Sequence, residues 1–330
     1  MGLSSSIIIN FAFIFTLILM PLTSYSIPFV VFHGIADSCK HEGVAHFTEL
    51  LRNWSGSQGY CVEIGDGVWD SWFMPMAKQV SIACDKVKKI SELNDGYNIV
   101  GLSQGNMVAR GVIEFCDGPP VKNMVSLAGP HAGIASIPFC GSSFLCILLA
   151  DIIELLVYSS FIQEHLAPAN YIKIPTDIAG YEKGCKFLPK LNNEIHMNET
   201  YKKRFESLHN LVLIMFEQDE VLVPRETSLF GYFPDGSWDT VLPVEETKLY
   251  KEDWIGLKTL NEAGKVKFVN VTGHHLEISV SDIKKYVLPY LLEKNKSTTE
   301  SSFLQWSPSF MDLNYWEGEE KLVLNLLDRI

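Results

Sequence analysis

Six short stretches of the chain are apolar and rich in β-branched or aromatic residues. They are "IPFVVFHG", "GYCVEIG", "YNIVGL", "VKNMVSLAG", "LVLIMFEQD" and "KVKFVNVTG". The first is bounded by Pro and Gly, and each has strand length, so all six read as β-strands. Between the second and third, Met74 to Leu93 is long and amphipathic enough for a helix, and a second helix-like pattern runs from Gln104 to Cys116 after the third. Strands that alternate with helices imply a mostly parallel sheet with helices on both faces. The expected class is α/β.

Two regions break the rhythm. From Pro130 to His209, roughly 80 residues separate the fourth strand from the fifth, far above the usual connection length, which marks an inserted subdomain. Its most apolar part, "FLCILLADIIELLVYSSF", is long enough to suggest a membrane helix, but Asp151 and Glu154 sit inside it, and each is costly at a bilayer centre. It reads instead as an amphipathic or buried helix over the sheet. The second break is the tail 296–330, polar at first and then "WEGEEKLVLNLLDRI", a pattern that fits a short amphipathic helix.

The first 26 residues carry an apolar core from Ile7 to Met20, then a Pro and small polar residues. That is the shape of a secretory signal, with Ser24 and Ser26 before a cut near Ile27, although its n-region has no Lys or Arg. The start "MGLSSS" also matches the myristoylation pattern at Gly2; the apolar run directly behind it favours secretion, with an uncleaved anchor as the other reading. Residues 27–295 then form one domain, since no internal repeat or low-complexity tract divides them. Four glycosylation sequons, at Asn53, Asn198, Asn270 and Asn295, agree with a lumenal route. The seven cysteines show no CxxC metal spacing and read as two or three disulfides with at least one thiol left over. A net charge of -12 argues against a nucleic-acid partner, which would draw on clustered Lys and Arg.

The chemistry starts at "GLSQG", a G-x-S-x-G pattern at the end of a strand and the start of a helix. Small glycines let the chain turn sharply there, lifting Ser103 out at the C-terminal edge of the sheet. A serine hydroxyl is a poor nucleophile until a base takes its proton, so a serine enzyme holds Ser beside His and His beside a carboxylate. In hydrolases with this turn the acid and the histidine follow at the ends of later strands. The fifth strand runs into "EQDE", which offers Glu217, Asp219 and Glu220. The sixth runs into "TGHHLEI", which offers His274 and His275. Asp219 lies beyond the strand end, where a loop can aim it, but spacing leaves both choices open. The other seven histidines, His33 and His131 among them, lack the strand-end position and read as structural or surface residues. The oxyanion formed on attack needs backbone N–H donors, one on the residue after the nucleophile, Gln104, and one in the loop "HGIADSC", at Ile35, where Gly34 permits close approach.

These residues resemble the palmitoyl-protein thioesterases. The likeness runs from Pro28 to Lys294 and rests on "FHGIADSC", "YNIVGLSQGN", "PHAG", "NETYKK", "DEVLVP", "SLFGYF", "LYKEDWIGLKTLNEAGKVKF" and "HHLEIS". It implies an α/β-hydrolase fold, with no cofactor or metal, that cleaves fatty acyl thioesters of S-palmitoylated proteins or peptides, or of carriers such as palmitoyl-CoA, in a lysosome, a vacuole or the extracellular space. The resemblance places the nucleophile on Ser103, the acid on Asp219, the base on His275 and the oxyanion donors on Ile35 and Gln104. It pairs Cys84 with Cys116 and Cys140 with Cys146. The family's adjacent cysteine pair after the first strand is here Cys39-Lys40, so Cys39, Cys61 and Cys185 are left without assigned partners. The family's glycine after "SQG" is here Asn106, a modest change. The tail beyond Lys296 has no counterpart. A long acyl chain needs an apolar groove, at about 0.8 kcal/mol per buried methylene, which the insertion would supply. The candidates are Phe144, Leu148, Ile152, Leu155 and Phe161, with Ile172 and Ile174; the plainer reading is that they pack against the sheet. The competing functions are a lipase or carboxylesterase acting on oxygen esters and a lipid carrier without turnover.

Overall fold

The computed structural model describes residues 26–136, 156–292 and 321–323. The expected leader up to residue 25, the groove candidates Phe144, Leu148, Ile152 and Leu155, the expected Cys140–Cys146 pair and Asn295 all lie outside the described residues.

The six apolar stretches form β1 (Phe29–Phe32), β2 (Gly59–Cys61), β3 (Tyr97–Leu102), β4 (Val121–Leu127), β5 (Asn210–Phe216) and β6 (Val266–Val271). They make one sheet in the order β2-β1-β3-β4-β5-β6, and every pairing is parallel. Parallel strands covered on both faces are apolar on both, and β1 and β3 are buried at every position. The chain leaves β1 toward one edge of the sheet and β3 toward the other, so the connections diverge between these two neighbours. In open α/β sheets that switch point, at the carboxyl ends of the strands, is where ligands bind.

One helix escapes the sequence reading. Helix α1 (Glu42–Ser55) buries Val44, Phe47, Thr48 and Leu51, a stripe at helical spacing, and stops at Gly56, whose φ of 65° suits a left-handed cap. The single helix expected over Met74 to Leu93 is shorter. Helix α2 (Val68–Phe73) ends before it, Pro75 caps α3 (Met76–Val87), and a separate turn follows at Ser91–Leu93. Helix α4 (Gly105–Phe115) agrees with the expectation.

The described part of the insertion contains α5 (Ser160–His165), α6 (Ile178–Gly184), α7 (Leu188–Leu191) and α8 (Glu199–Glu206). It is fastened to the sheet layer through a buried arginine on α4. Arg110 donates to Glu114 Oε1 (3.0 Å), to Asn192 Oδ1 (2.8 Å) and to Leu191 O (3.1 Å), and its guanidinium lies over the rings of Phe205 and Phe230. A buried charge is tolerated because its donors are engaged.

Of the tail, Lys321–Val323 lie among the described residues. Residues Lys321–Val323 are not helical but form a strand, β8, paired antiparallel with β7 (Glu277–Ser279). The segment after β6 offers backbone donors and acceptors, and pairing satisfies both chains. Among the described residues, no helix is long and apolar enough to cross a membrane.

Candidate active site

Ser103 follows β3 directly, with φ at 49° in the left-handed region that non-glycine residues rarely occupy. The chain turns there and enters α4. At the next position but one, the turn requires glycine. A Cβ on Gly105 would stand 2.3 Å from the carbonyl oxygen of Phe32 and 2.6 Å from that of His33, so the start of α4 lies against the end of β1. This close approach brings Ser103 next to the loop that follows β1. A Cβ on Gly34 would meet the Ser103 Cβ at 3.2 Å.

Asn106 does more than its description as a modest change allowed. Its side chain is fully buried, and Nδ2 donates to Ser103 O (3.1 Å) and to Leu127 O at the end of β4 (2.9 Å). The amide therefore ties the nucleophile turn to the neighbouring strand, a role that no glycine can fill.

Three residues distant in sequence converge at this turn. His275 Nε2 lies 2.9 Å from Ser103 Oγ, and His275 Nδ1 lies 2.6 Å from Asp219 Oδ2. The remaining carboxylate oxygen, Asp219 Oδ1, accepts from the N–H groups of Val221 (2.9 Å) and Leu222 (3.1 Å). Asp219 stands three residues beyond β5 and His275 four beyond β6, both at the carboxyl edge where β3 delivers Ser103. All three are buried. The alternatives face elsewhere: His274 is exposed, with Nδ1 3.2 Å from Gln218 O, and Glu217 is exposed and accepts from Thr272.

Gln104 is held from both ends of its amide. Nε2 donates to Ser71 O (2.7 Å), and Oε1 accepts from the Tyr171 hydroxyl (2.8 Å), a phenol that burial pushes up and keeps as a donor. The side chain thus joins α4 to α2 and to the insertion. Its own N–H lies at the start of the helix, where backbone dipoles favour negative charge.

Two disulfides frame the site. Cys84–Cys116 joins α3 to the end of α4, and Cys39–Cys61 joins the loop after β1 to the end of β2. The second bridge gives partners to two cysteines that had none. No motif spacing announced it, because the parallel pairing of β1 with β2 is what brings the two together. Cys185 is free and buried. Of the groove candidates, Phe161 is exposed on α5, while Ile172 and Ile174 are buried in the main core. Among the described residues, no group of His, Cys, Asp and Glu could hold a metal ion.

A serine in a tight turn between strand and helix, hydrogen-bonded to a histidine that meets an aspartate, both just beyond later strand ends, is the arrangement of a serine hydrolase of the α/β-hydrolase class. The family model for palmitoyl protein thioesterase matches residues 28–275, and the chain belongs to that family. It is 38% identical over 274 residues to palmitoyl-protein thioesterase 1 of Caenorhabditis elegans, covering 79% of this chain and 92% of that protein. It is 32% identical to palmitoyl-protein thioesterase 3 of Dictyostelium discoideum, over 82% of this chain and 94% of the other. The lysosomal thioesterase PPT2 homolog of Drosophila melanogaster is 29% identical, over 80% and 91%.

Proposed function

We propose that the chain hydrolyses long-chain fatty acyl thioesters on protein cysteines through an acyl-enzyme on Ser103. The observation that carries this is the unbroken hydrogen-bonded line from Asp219 through His275 to Ser103, at 2.6 and 2.9 Å, in a member of this family. Ser103 Oγ attacks the thioester carbonyl carbon as His275 Nε2 takes its proton, and Asp219 holds the ring with Nδ1–H toward it. The backbone N–H groups of Gln104 and Ile35 receive the oxyanion. The C–S bond then breaks, and His275 returns the proton to the leaving thiolate. Water, deprotonated by the same nitrogen, attacks the acyl carbon, and the fatty acid leaves as Ser103 recovers its proton.

The acyl chain would lie along the insertion, with Phe161 at its exposed margin and Ile172 and Ile174 backing it. The protein would enter the secretory route and work in a lysosome, a vacuole or the extracellular space, the setting of its lysosomal relatives. Glycans at Asn53 and Asn270, both exposed, and at Asn198, a half-buried helix cap, suit that route. The test compares palmitoyl-CoA with a triglyceride and a short p-nitrophenyl ester, for wild type and Ser103→Ala. Hydrolysis of the thioester by wild type, abolished in the variant, is expected. A clear preference for the oxygen esters overturns the thioesterase reading, and equal behaviour of both proteins toward a fluorophosphonate probe overturns catalysis altogether.

A further inference from the structure

His33, the residue after β1, is buried with an acceptor against each ring nitrogen. Nδ1 is hydrogen-bonded to the carbonyl oxygen of Gly34 at 2.9 Å, and Nε2 stands 2.8 Å from Glu63 Oε1 as an ion-pair contact without hydrogen-bond alignment. A neutral imidazole has one N–H and one lone pair and so can present a proton to one of these oxygens; the protonated ring keeps the N–H on Gly34 O and sets its charge against the Glu63 carboxylate. Gly34 C=O and Ile35 N–H belong to the same planar peptide unit. A donor on that oxygen therefore fixes the plane of the Ile35 N–H and polarises it.

The surroundings are built to hold this ring. Glu63 Oε2 accepts the Cys39 N–H at 2.9 Å, its carbonyl oxygen accepts Lys86 Nζ from α3 at 2.6 Å, and the Cys39–Cys61 bridge ties the same loop to β2. On the loop itself, Asp37 Oδ1 accepts from Ser38 N–H and lies 2.8 Å from His41 Nδ1. The charged or titratable groups around the ring are thus Glu63 beyond β2, Asp37 and His41 before α1, and Lys86 on α3.

We propose that the His33 imidazolium, paired with Glu63, is the positioning group of the oxyanion hole, aiming and polarising the Ile35 N–H through the Gly34 carbonyl. This rests on the reading of Ser103 as the nucleophile. Burial alone would pull the imidazole down, but the close contact and charge of Glu63, with the Gly34 carbonyl, leave it above its usual value. Burial likewise works to raise Glu63, yet His33 holds it below the usual carboxylate range. As pH rises through the raised His33 value, one ring proton is lost. The carboxylate keeps the proton on Nε2, the Nδ1 lone pair then faces the Gly34 oxygen, and the brace on Ile35 is gone. Turnover falls on the alkaline side for this reason.

The test measures kcat and KM for palmitoyl-CoA, and the rate of fluorophosphonate labelling, from about pH 4 to 9 in wild type, His33→Ala, His33→Asn and Glu63→Gln. His33→Ala should lower kcat and labelling by roughly tenfold or more with KM little changed, short of the about 10²- to 10³-fold loss expected for deleting an oxyanion donor. His33→Asn, whose amide donates to the Gly34 oxygen but does not titrate, should recover part of kcat and lack the alkaline limb. Glu63→Gln should move that limb to lower pH. An alkaline limb unmoved in Glu63→Gln overturns the proposal. So does wild-type kcat in His33→Ala, or a loss that tracks thermal unfolding and is not restored by His33→Asn. Failure of the parent reading would instead appear in wild type and Ser103→Ala, through thioester left intact or labelling that ignores Ser103.

Discussion

Asp219 spends both carboxylate oxygens on fixed partners, one on His275 and one on two backbone N–H groups of its own loop. On the proposed mechanism its work is to hold one tautomer and one ring orientation of His275. Asp219→Asn keeps the volume but offers an N–H where His275 needs an acceptor, so kcat should fall by about 10⁴ with KM little changed, as steady-state kinetics on a thioester would show. Asn106 makes a second prediction at the same scale. Asn106→Ala removes a side-chain donor from the Ser103 and Leu127 carbonyls, each of which keeps a backbone N–H, so it should cost about 0.5–1.5 kcal/mol in a urea titration and slow labelling of Ser103. An unchanged midpoint would mean that the brace contributes nothing. Spacing alone left three acids and two histidines as candidates. The family resemblance chose Asp219 and His275, and the paths of the loops after β5 and β6 give the physical reason, because they decide which side chain turns inward.

At the scale of elements, the site is a meeting of three strand ends with a helix start, and its rigidity depends on what clamps those pieces. The Cys84–Cys116 bridge closes a 32-residue span and anchors the far end of α4, the helix whose first turn follows Ser103. Replacing both cysteines by serine should cost about 2–4 kcal/mol, visible as a lower thermal midpoint, while the triad distances are retained and kcat changes less than stability. The six strands were legible because their apolar runs have no other stable environment. Helix α1 was passed over although Val44, Phe47 and Leu51 recur at helical spacing, with His46, Glu49, Arg52 and Asn53 on the exposed face, because its buried stripe is narrow and includes the polar Thr48. In the tail, Lys321–Val323, inside a stretch whose pattern fits a helix, pair with β7 instead, a tertiary contact that local propensity does not announce.

For the whole molecule, the buried Arg110–Glu114 pair beneath the insertion couples stability to pH. Burial pushes the Glu114 carboxyl up to about 7, against the pull of Arg110, from an ordinary 4.5. The folded state then holds this proton more tightly than the unfolded chain does. The contribution is fully present below about pH 4.5 and is lost as pH rises through about 7, a change on the order of 1–3 kcal/mol. His131 has the opposite sign: buried and neutral, with its value pulled well below 6.5 by burial and by Arg110, it costs stability as pH falls below 6.5, where the unfolded chain takes up a proton. Thermal midpoints measured across this range should show that Glu114→Gln lacks the decline toward neutral pH. A decline that persists in the variant would assign it to another group. Neither effect could be read from the sequence, where Arg110 and Glu114 are merely polar positions on a helix. By itself the sequence determined the six strands, the Ser103 turn and the family, because hydrophobic periodicity and short motifs are local and survive without coordinates. The tertiary structure alone decided the Cys39–Cys61 bridge, the start and length of α1 to α3, the brace at Asn106 and the ring of partners around His33. Each of these depends on distances between residues far apart in the chain, and such distances are set by how the sheet closes its neighbours together.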